Sequence, residues 1–310
     1  MRGQWLLKLV DGPPRRPTCH GLPATITGSG RITGTSRADV IVGSSGADTI
    51  DGRGGDDVIC AGEGDDTVLQ GDRPDGWDSI DGQGGVDTVS YARRTTPVRI
   101  DLRATGQPRS GATSSTPNSP DEIDALVAVE NGVGGSAADI LEGDGAANRL
   151  EGGPGSDTIT GEDGDDVEIG GPGADTFEQG VFAGGGADLL LGRGGRDTVT
   201  YSLYGPAVTV VLDGLANDGA QGEGDNVSVE VVVGSIEDDT LVGDGSANWF
   251  YGGDGADTLV GGGGPDHLFG EAHRDVLDLR DGVGGNDLGD GGDATDTATW
   301  DPGDRLVAVP

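Results

Sequence analysis

One periodicity limits what this chain can fold into more than any other feature. Glycine, glycine, aspartate and a single large aliphatic residue return every nine positions. IDGRGGDD at 50–57 is one instance, and VGSSGADTI before it and AGEGDDTVL after it keep the phase. In frames G-x-x-G-x-D-x-U-x, where U is large and apolar, a first block starts at Gly34. Its sixth positions are Asp39, Asp48, Asp57, Asp66, Asp78 and Asp87, and its eighth positions are Ile41, Ile50, Ile59, Val68, Ile80 and Val89. An insert, Gln70-Gly71-Asp72, shifts the phase once. A second block from Gly134 carries Asp139, Asn148, Asp157, Asp166, Asp175, Asp188 and Asp197. A third from Gly234 carries Asp239, Asn248, Asp257, Asp266 and Asp275, and two weaker frames follow with Asp287 and Asp296. One large apolar residue in nine cannot fold a unit alone, so neighbouring units must stack. The expected architecture is an all-β solenoid.

The residue types give a reason for the spacing. Glycines at positions one, two and four permit positive φ and close backbone approach in a tight turn. The x-U-x that follows is a short strand with one inward side chain. Stacking the turns brings each sixth-position carboxylate near its counterpart, which is repulsive unless a cation intervenes. The composition sharpens this point: 43 of the 55 acidic residues are Asp, Lys8 is the only lysine, and the net charge is −36. Such a chain repels nucleic acid and anionic membranes and attracts cations. A hard divalent ion that takes six or more oxygens suits the turns, and Mg²⁺ is the poorer candidate because it demands tight octahedral geometry and keeps its waters. No apolar run reaches the length of a transmembrane helix.

Two longer segments separate the blocks and copy one another. DTVSYARRTTPVRIDL (87–102) matches DTVTYSLYGPAVTVVL (197–212), and VAVENGVGGSAADILEGDGAAN (127–148) matches VSVEVVVGSIEDDTLVGDGSAN (227–248). The runs V-R-I-D-L, V-T-V-V-L and V-S-V-E-V predict strands longer than those of the repeats. The expected organisation is a leader and N-terminal cap at 1–23, repeat blocks at 24–90, 134–200 and 234–278, and inserts at 91–133 and 201–233. Weak repeats and a C-terminal cap occupy 279–310. The start, with its short apolar run from Trp5 to Val10, reads as a disordered leader, a truncated signal or a misplaced start. QPRSGATSSTPNSPDE in the first insert reads as a loop.

GGPGSDTIT (152–160), GGDGADTLV (252–260) and GGGGPDHLF (261–269) resemble the hemolysin-type (RTX) calcium-binding nonapeptide. The resemblance runs from about residue 24 to 300. It implies a right-handed parallel β-roll with two repeats per coil and several Ca²⁺ ions, on the order of ten, between stacked turns. It also implies that the sixth-position residues named above and turn carbonyls are the ligands. Asn148 and Asn248 place a neutral oxygen there, so their sites should be weaker. Glu168 falls on an apolar position, and a bulge turning Ile169 inward is expected. Gly289 and Ala298 are poor core residues, so the last two frames should fray.

Other chemistry is sparse. His267 and His273 read as solvated surface, and no H-E-x-x-H, G-x-S-x-G or P-loop occurs. Tyr91 and Tyr201, equivalent in the two copies, read as structural, and Trp249, Phe250 and Tyr251 as cap or core packing. Cys19 and Cys60, both near one end, suggest a disulfide made in an oxidising compartment, with the segment around Cys19 folded back as a cap; two free thiols are the alternative. Cysteine is unusual among RTX exoproteins, so the pair hints at a different export route. The functional expectation is a secreted or cell-surface calcium-binding protein with a structural or interaction role and no catalysis of its own. The alternative is an extracellular polysaccharide-acting enzyme or adhesin with its site on the duplicated inserts.

Overall fold

The computed structural model describes residues 16–103, 111–112, 124–180 and 185–309, which contain strands and turns and no helix. No helix among them is long and apolar enough to cross a membrane. The leader at 1–15 and most of the loop at 107–122 lie outside the described residues.

Most x-U-x segments form a three-residue strand, or the start of a longer one, whose middle side chain is buried while its flanks are half-buried, as in Thr49–Asp51, Thr67–Leu69 and Thr258–Val260. In an uninterrupted coil, strands eighteen residues apart pair in parallel and in register, for example Ile32 with Ile50 and Leu241 with Leu259. Two nonapeptides therefore make one coil, with one strand on each of two facing walls. The product is a parallel β-roll. Its core is two facing ladders of single side chains, of which Ile32, Ile50, Val68 and Val89 are one stretch. Burying each such residue stabilises by about 1.5–3 kcal/mol.

The duplicated inserts break one wall each. After Thr88–Ser90 the chain lays down Val98–Asp101, which pairs onward with Ile140–Glu142. It then returns through Ala125–Val127, which pairs backward with Ser79–Gly84. The second copy repeats this with Val208–Val211 and Asn226–Ser228. One wall is thus a five-stranded sheet followed by an eleven-stranded one, and the other a nine-stranded sheet followed by a six-stranded one. Short antiparallel strands, Gly111–Ala112 and Gly219–Ala220, cover the edges the breaks create. The longer strands expected here are only partly realised. Val98–Asp101 and Val208–Val211 have four residues, but Asn226–Ser228 has three, because Glu230 has already entered the turn.

The expected disulfide forms, and two other expectations change. Cys19 and Cys60 are joined, with their Cα atoms 5.6 Å apart. Cys60 lies on the outer side of Val58–Glu63, the third strand of its sheet, so the staple holds the flank of the roll. No bulge forms at Glu168: Leu150, Glu168 and Leu190 are in register, and the carboxyl side chain stands inside the core. The last two frames do not fray. Leu288–Asp290 and Thr297–Thr299 pair on both sides or at the sheet end, and Leu279 fills the space above Gly289.

Candidate metal centres along the edges

The turns stack along the two edges of the roll, and the sixth-position residues stack with them. The backbone N–H of each donates to a side-chain oxygen of its counterpart one coil later. Asp39 donates to Asp57 and Asp57 to Asp78; Asp139, Asp157, Asp175 and Asp197 form the same series, with distances of 2.7–2.9 Å. Asp48, Asp66 and Asp87 form a second such row, as do Asp239, Asp257 and Asp275. Asn148 donates to Asp166 and Asp166 to Asp188, while Asn248 donates to Asp266. All eighteen candidates are buried. Strand stacking thus brings together residues that the chain keeps nine or more positions apart.

The turns fall into two kinds. In the first two of each block, the N–H four residues before the sixth position donates to that side chain. Thr35 donates to Asp39, Ser44 to Asp48, Gly135 to Asp139, Asp144 to Asn148, Ser235 to Asp239 and Asp244 to Asn248. These turns are closed on themselves. In most of the later turns the same residue has positive φ, as at Arg53, Gly153, Glu162, Gly171 and Gly253, and makes no such bond to the sixth-position side chain. The second carboxylate oxygen is then left alone. Oδ2 of Asp57, Asp66, Asp87, Asp157, Asp166, Asp175, Asp197, Asp257, Asp275, Asp287 and Asp296 is buried without a hydrogen-bond partner among the described residues. Leaving one buried acceptor unmet costs on the order of 1–3 kcal/mol, and more for a charge. Eleven in rows are a donor set of hard oxygens, which fits a divalent cation.

The first glycine of the frame is needed for space. Gly252 does not have positive φ, yet a Cβ there would meet Asp257 Oδ2 at 2.2 Å and the Gly270 carbonyl at 2.8 Å. Position one is where the orphaned oxygen and the next coil's carbonyl converge. Burial, partly offset by the N–H from the previous coil, pushes the carboxyls of Asp57, Asp157, Asp166, Asp257 and Asp266 up to about 7. Asp78, Asp87, Asp175, Asp188 and Asp275 rise to about 6 for the same first reason. Without a cation these side chains resist ionising together.

The rows also contain members that the nine-residue frame does not reach. Asp124, Glu130, Asp225 and Glu230 accept the N–H groups of Asp78, Asp87, Asp188 and Asp197, and so carry the rows into the inserts. Glu130 and Glu230 had a signal: each stands eighteen residues before an Asn in a duplicated segment. Asp287 and Asp296 accept from Asp266 and Asp275. Asn148 differs from the aspartates as expected, because its Nδ2 donates to the Glu130 carbonyl at 2.8 Å and leaves no orphan. Elsewhere, His267 stacks on Trp249 and Phe269 on Tyr251 along the outer wall, while Phe250 is core. Tyr91 and Tyr201 are both fully buried.

A family model described as the RTX calcium-binding nonapeptide repeat (4 copies) matches residues 33–68, 133–168, 142–177, 181–201, 229–259 and 251–283. Together these spans cover just over half of the chain. A search of curated proteins finds no match.

Proposed function

Because the chain belongs to the RTX calcium-binding nonapeptide-repeat family, we propose that its open turns hold Ca²⁺ between successive coils and that the ion completes the fold. The ligands in this reading are the sixth-position aspartates with turn carbonyls, joined by Glu130 and Glu230 where the rows pass the inserts. The closed turns of Asp39, Asp48, Asp139, Asn148, Asp239 and Asn248 begin each block and contribute less. One observation carries the proposal: the rows of buried carboxylates with one oxygen each left without a partner. Bound calcium supplies the positive charge those oxygens lack.

The role is structural or interactive, outside the cell. Repeats of this family are generally structural, and proteins carrying them are typically secreted. The Cys19–Cys60 disulfide suits an oxidising compartment. A cell-surface or polysaccharide partner is compatible with the outer walls. The enzyme reading draws on a cavity of about 300 Å³ at the second insert, walled by Glu162, Glu178, Asp188, Glu223 and Asp225. Its charged side chains among the described residues are all acidic, and such a wall is better suited to a cation than to acid–base chemistry.

Circular dichroism tests the proposal. In EGTA at neutral pH the chain should be largely unordered; millimolar Ca²⁺ should give a β spectrum, and Mg²⁺ should do so poorly. A full β spectrum in EGTA that calcium leaves unchanged overturns it.

A further inference from the structure

The two inserts are internal copies, so each serves as a control for the other. In the first, the wall ends on Asp57, Asp78 and Asp124, and the core ladder beside them is Ile59, Ile80 and Leu126. This carboxylate end contains a cation of its own. The Arg94 side chain is fully buried; its Nε donates to the Gly71 carbonyl at 2.7 Å and its Nη2 to Asp75 at 3.2 Å. Nearby, the Tyr91 hydroxyl donates to Asp124 Oδ2 at 2.6 Å.

The second copy keeps the carboxylates and their backbone donors, and replaces the buried arginine near them. Asp166, Asp188 and Asp225 take the places of the three aspartates. Tyr204 stands where the first copy has Arg94, so the buried guanidinium is gone. Glu168 stands where the first copy has Ile59, so one more carboxylate is added inside the core. Glu168 is 0% exposed; the Gly161 N–H is the donor that faces it, and neither carboxylate oxygen makes a hydrogen bond of regular geometry among the described residues. It is aimed at its neighbour: a Cβ on Gly161 would meet Asp166 Oδ2 at 2.3 Å and Glu168 Oε1 at 2.6 Å, so two orphaned oxygens converge on one point. The Tyr201 hydroxyl, equivalent to that of Tyr91, has no hydrogen-bond partner among the described residues. Asp225 Oδ2 turns instead towards Glu223, both lying within 2.8 Å of a Cβ built on Gly219. The cavity walled by Asp188, Glu223 and Asp225 opens at the edge of this cluster, while Asp166 and Glu168 lie behind its wall.

We propose that the second insert holds a divalent cation in a site of its own, with Glu168 as a core ligand alongside Asp166 and Asp188, in place of the arginine of the first. The inference rests on the calcium reading in taking Asp166 and Asp188 as ligands, and it adds a ligand that the nonapeptide frame assigns to the hydrophobic core. Hard oxygen donors, with no nitrogen or sulfur among them, suit Ca²⁺ over the softer transition metals. Affinity at such sites rises with the number of carboxylates, so this ion should be bound more tightly than those of the ordinary turns. The competing explanation is a proton. Burial, and then the charges of Asp188 and Asp166, push the Glu168 carboxyl well above its ordinary range, so a proton shared with Asp166 would also relieve the repulsion.

Counting ions separates the two. The chain is folded in calcium and dialysed against stepwise lower buffered free calcium, and bound calcium is measured by elemental analysis. The wild type should keep one last ion to a free concentration at least tenfold below that which empties the rest. Glu168→Leu, which continues the Leu150–Leu190 ladder, should bind one ion fewer and lack that last step, and Tyr204→Arg should lose it too. Equal ion counts for wild type and Glu168→Leu at every step mean that Glu168 carries a proton, and the proposal falls. If the leucine variant does not fold, the absence of a last tight ion in the wild type overturns it alone. Ordinary turns that bind without the last ion defeat only this inference; no binding in any protein defeats the calcium reading with it.

Discussion

At the scale of the residue, the repeat is decided by one crowded point. A Cβ at position one collides with the aspartate and with the next coil, as at Gly252, whereas Gly245, two residues into its frame, has nothing within 4 Å and no positive φ. Gly252→Ala should therefore destabilise the calcium-loaded protein by more than about 1 kcal/mol, while Gly245→Ala should be neutral or stabilising by about 0.4–1 kcal/mol. Urea unfolding in saturating calcium measures both, and equal effects would show that position one is not a steric site. The ligand assignment is tested beside it. Asp157→Ala and Asp257→Ala each remove an orphaned buried oxygen, so calorimetry should show lost ions. Asn148→Ala removes three hydrogen bonds and no orphan, so it should cost about 1–3 kcal/mol with the ion count kept. Identical ion losses for all three contradict the division into open and closed turns.

At the scale of the element, a three-residue strand has little stability of its own and holds only through its neighbours on both sides. The ends of the roll, and the strands beside the wall breaks, are where that support is thinnest. The disulfide fastens the N-terminal two-stranded hairpin to Val58–Glu63 of the five-stranded sheet, closing a sequence separation of 41 residues. In the chain-entropy model such a link contributes about 3–4 kcal/mol. Replacing Cys19 and Cys60 by Ser should lower stability by about that amount and expose the 16–42 region to protease before the remainder. Uniform proteolysis along the chain would mean that the staple is not what holds that end.

At the scale of the whole molecule, charge sets the balance. With a net charge of −36, the calcium-free roll stacks carboxyls that ionise only with difficulty. Asp57, Asp157 and Asp257, raised from 3.8 to about 7, bind more protons folded than unfolded between those values. Unfolding free energy therefore falls with rising pH across that window: the contribution is complete below about pH 4 and is lost as pH climbs through 6 to 7. Calcium needs the ionised form and reverses the sign. In EGTA the β signal should be greater at pH 4.5 than at pH 8; in millimolar calcium, stability should increase from pH 5 to pH 7. A calcium-free signal that is flat across this range contradicts the burial of these carboxyls.

The resemblance to the RTX nonapeptide implied two repeats per coil, and the nine-residue period by itself determined the solenoid, the inward Ile, Val and Leu ladders and the rows of Asp39 to Asp87, Asp139 to Asp197 and Asp239 to Asp275. It did so because side-chain direction in a three-residue strand is local, and because identical units stack in only one register. The tertiary structure decided the rest. Arg53 and Glu162 adopt the positive φ of an open turn without being glycine, because the fixed coil above and below over-determines the turn. Asp124, Glu130, Asp225 and Glu230 join the rows from outside the frame, because each insert sends one strand forward and brings the next one back, and no local pattern records which coil a returning strand will meet. Glu168 reads locally as an error in the core ladder. Only the packed coil shows that its carboxylate lies beside Asp166, where the positive charge of the first copy has been removed.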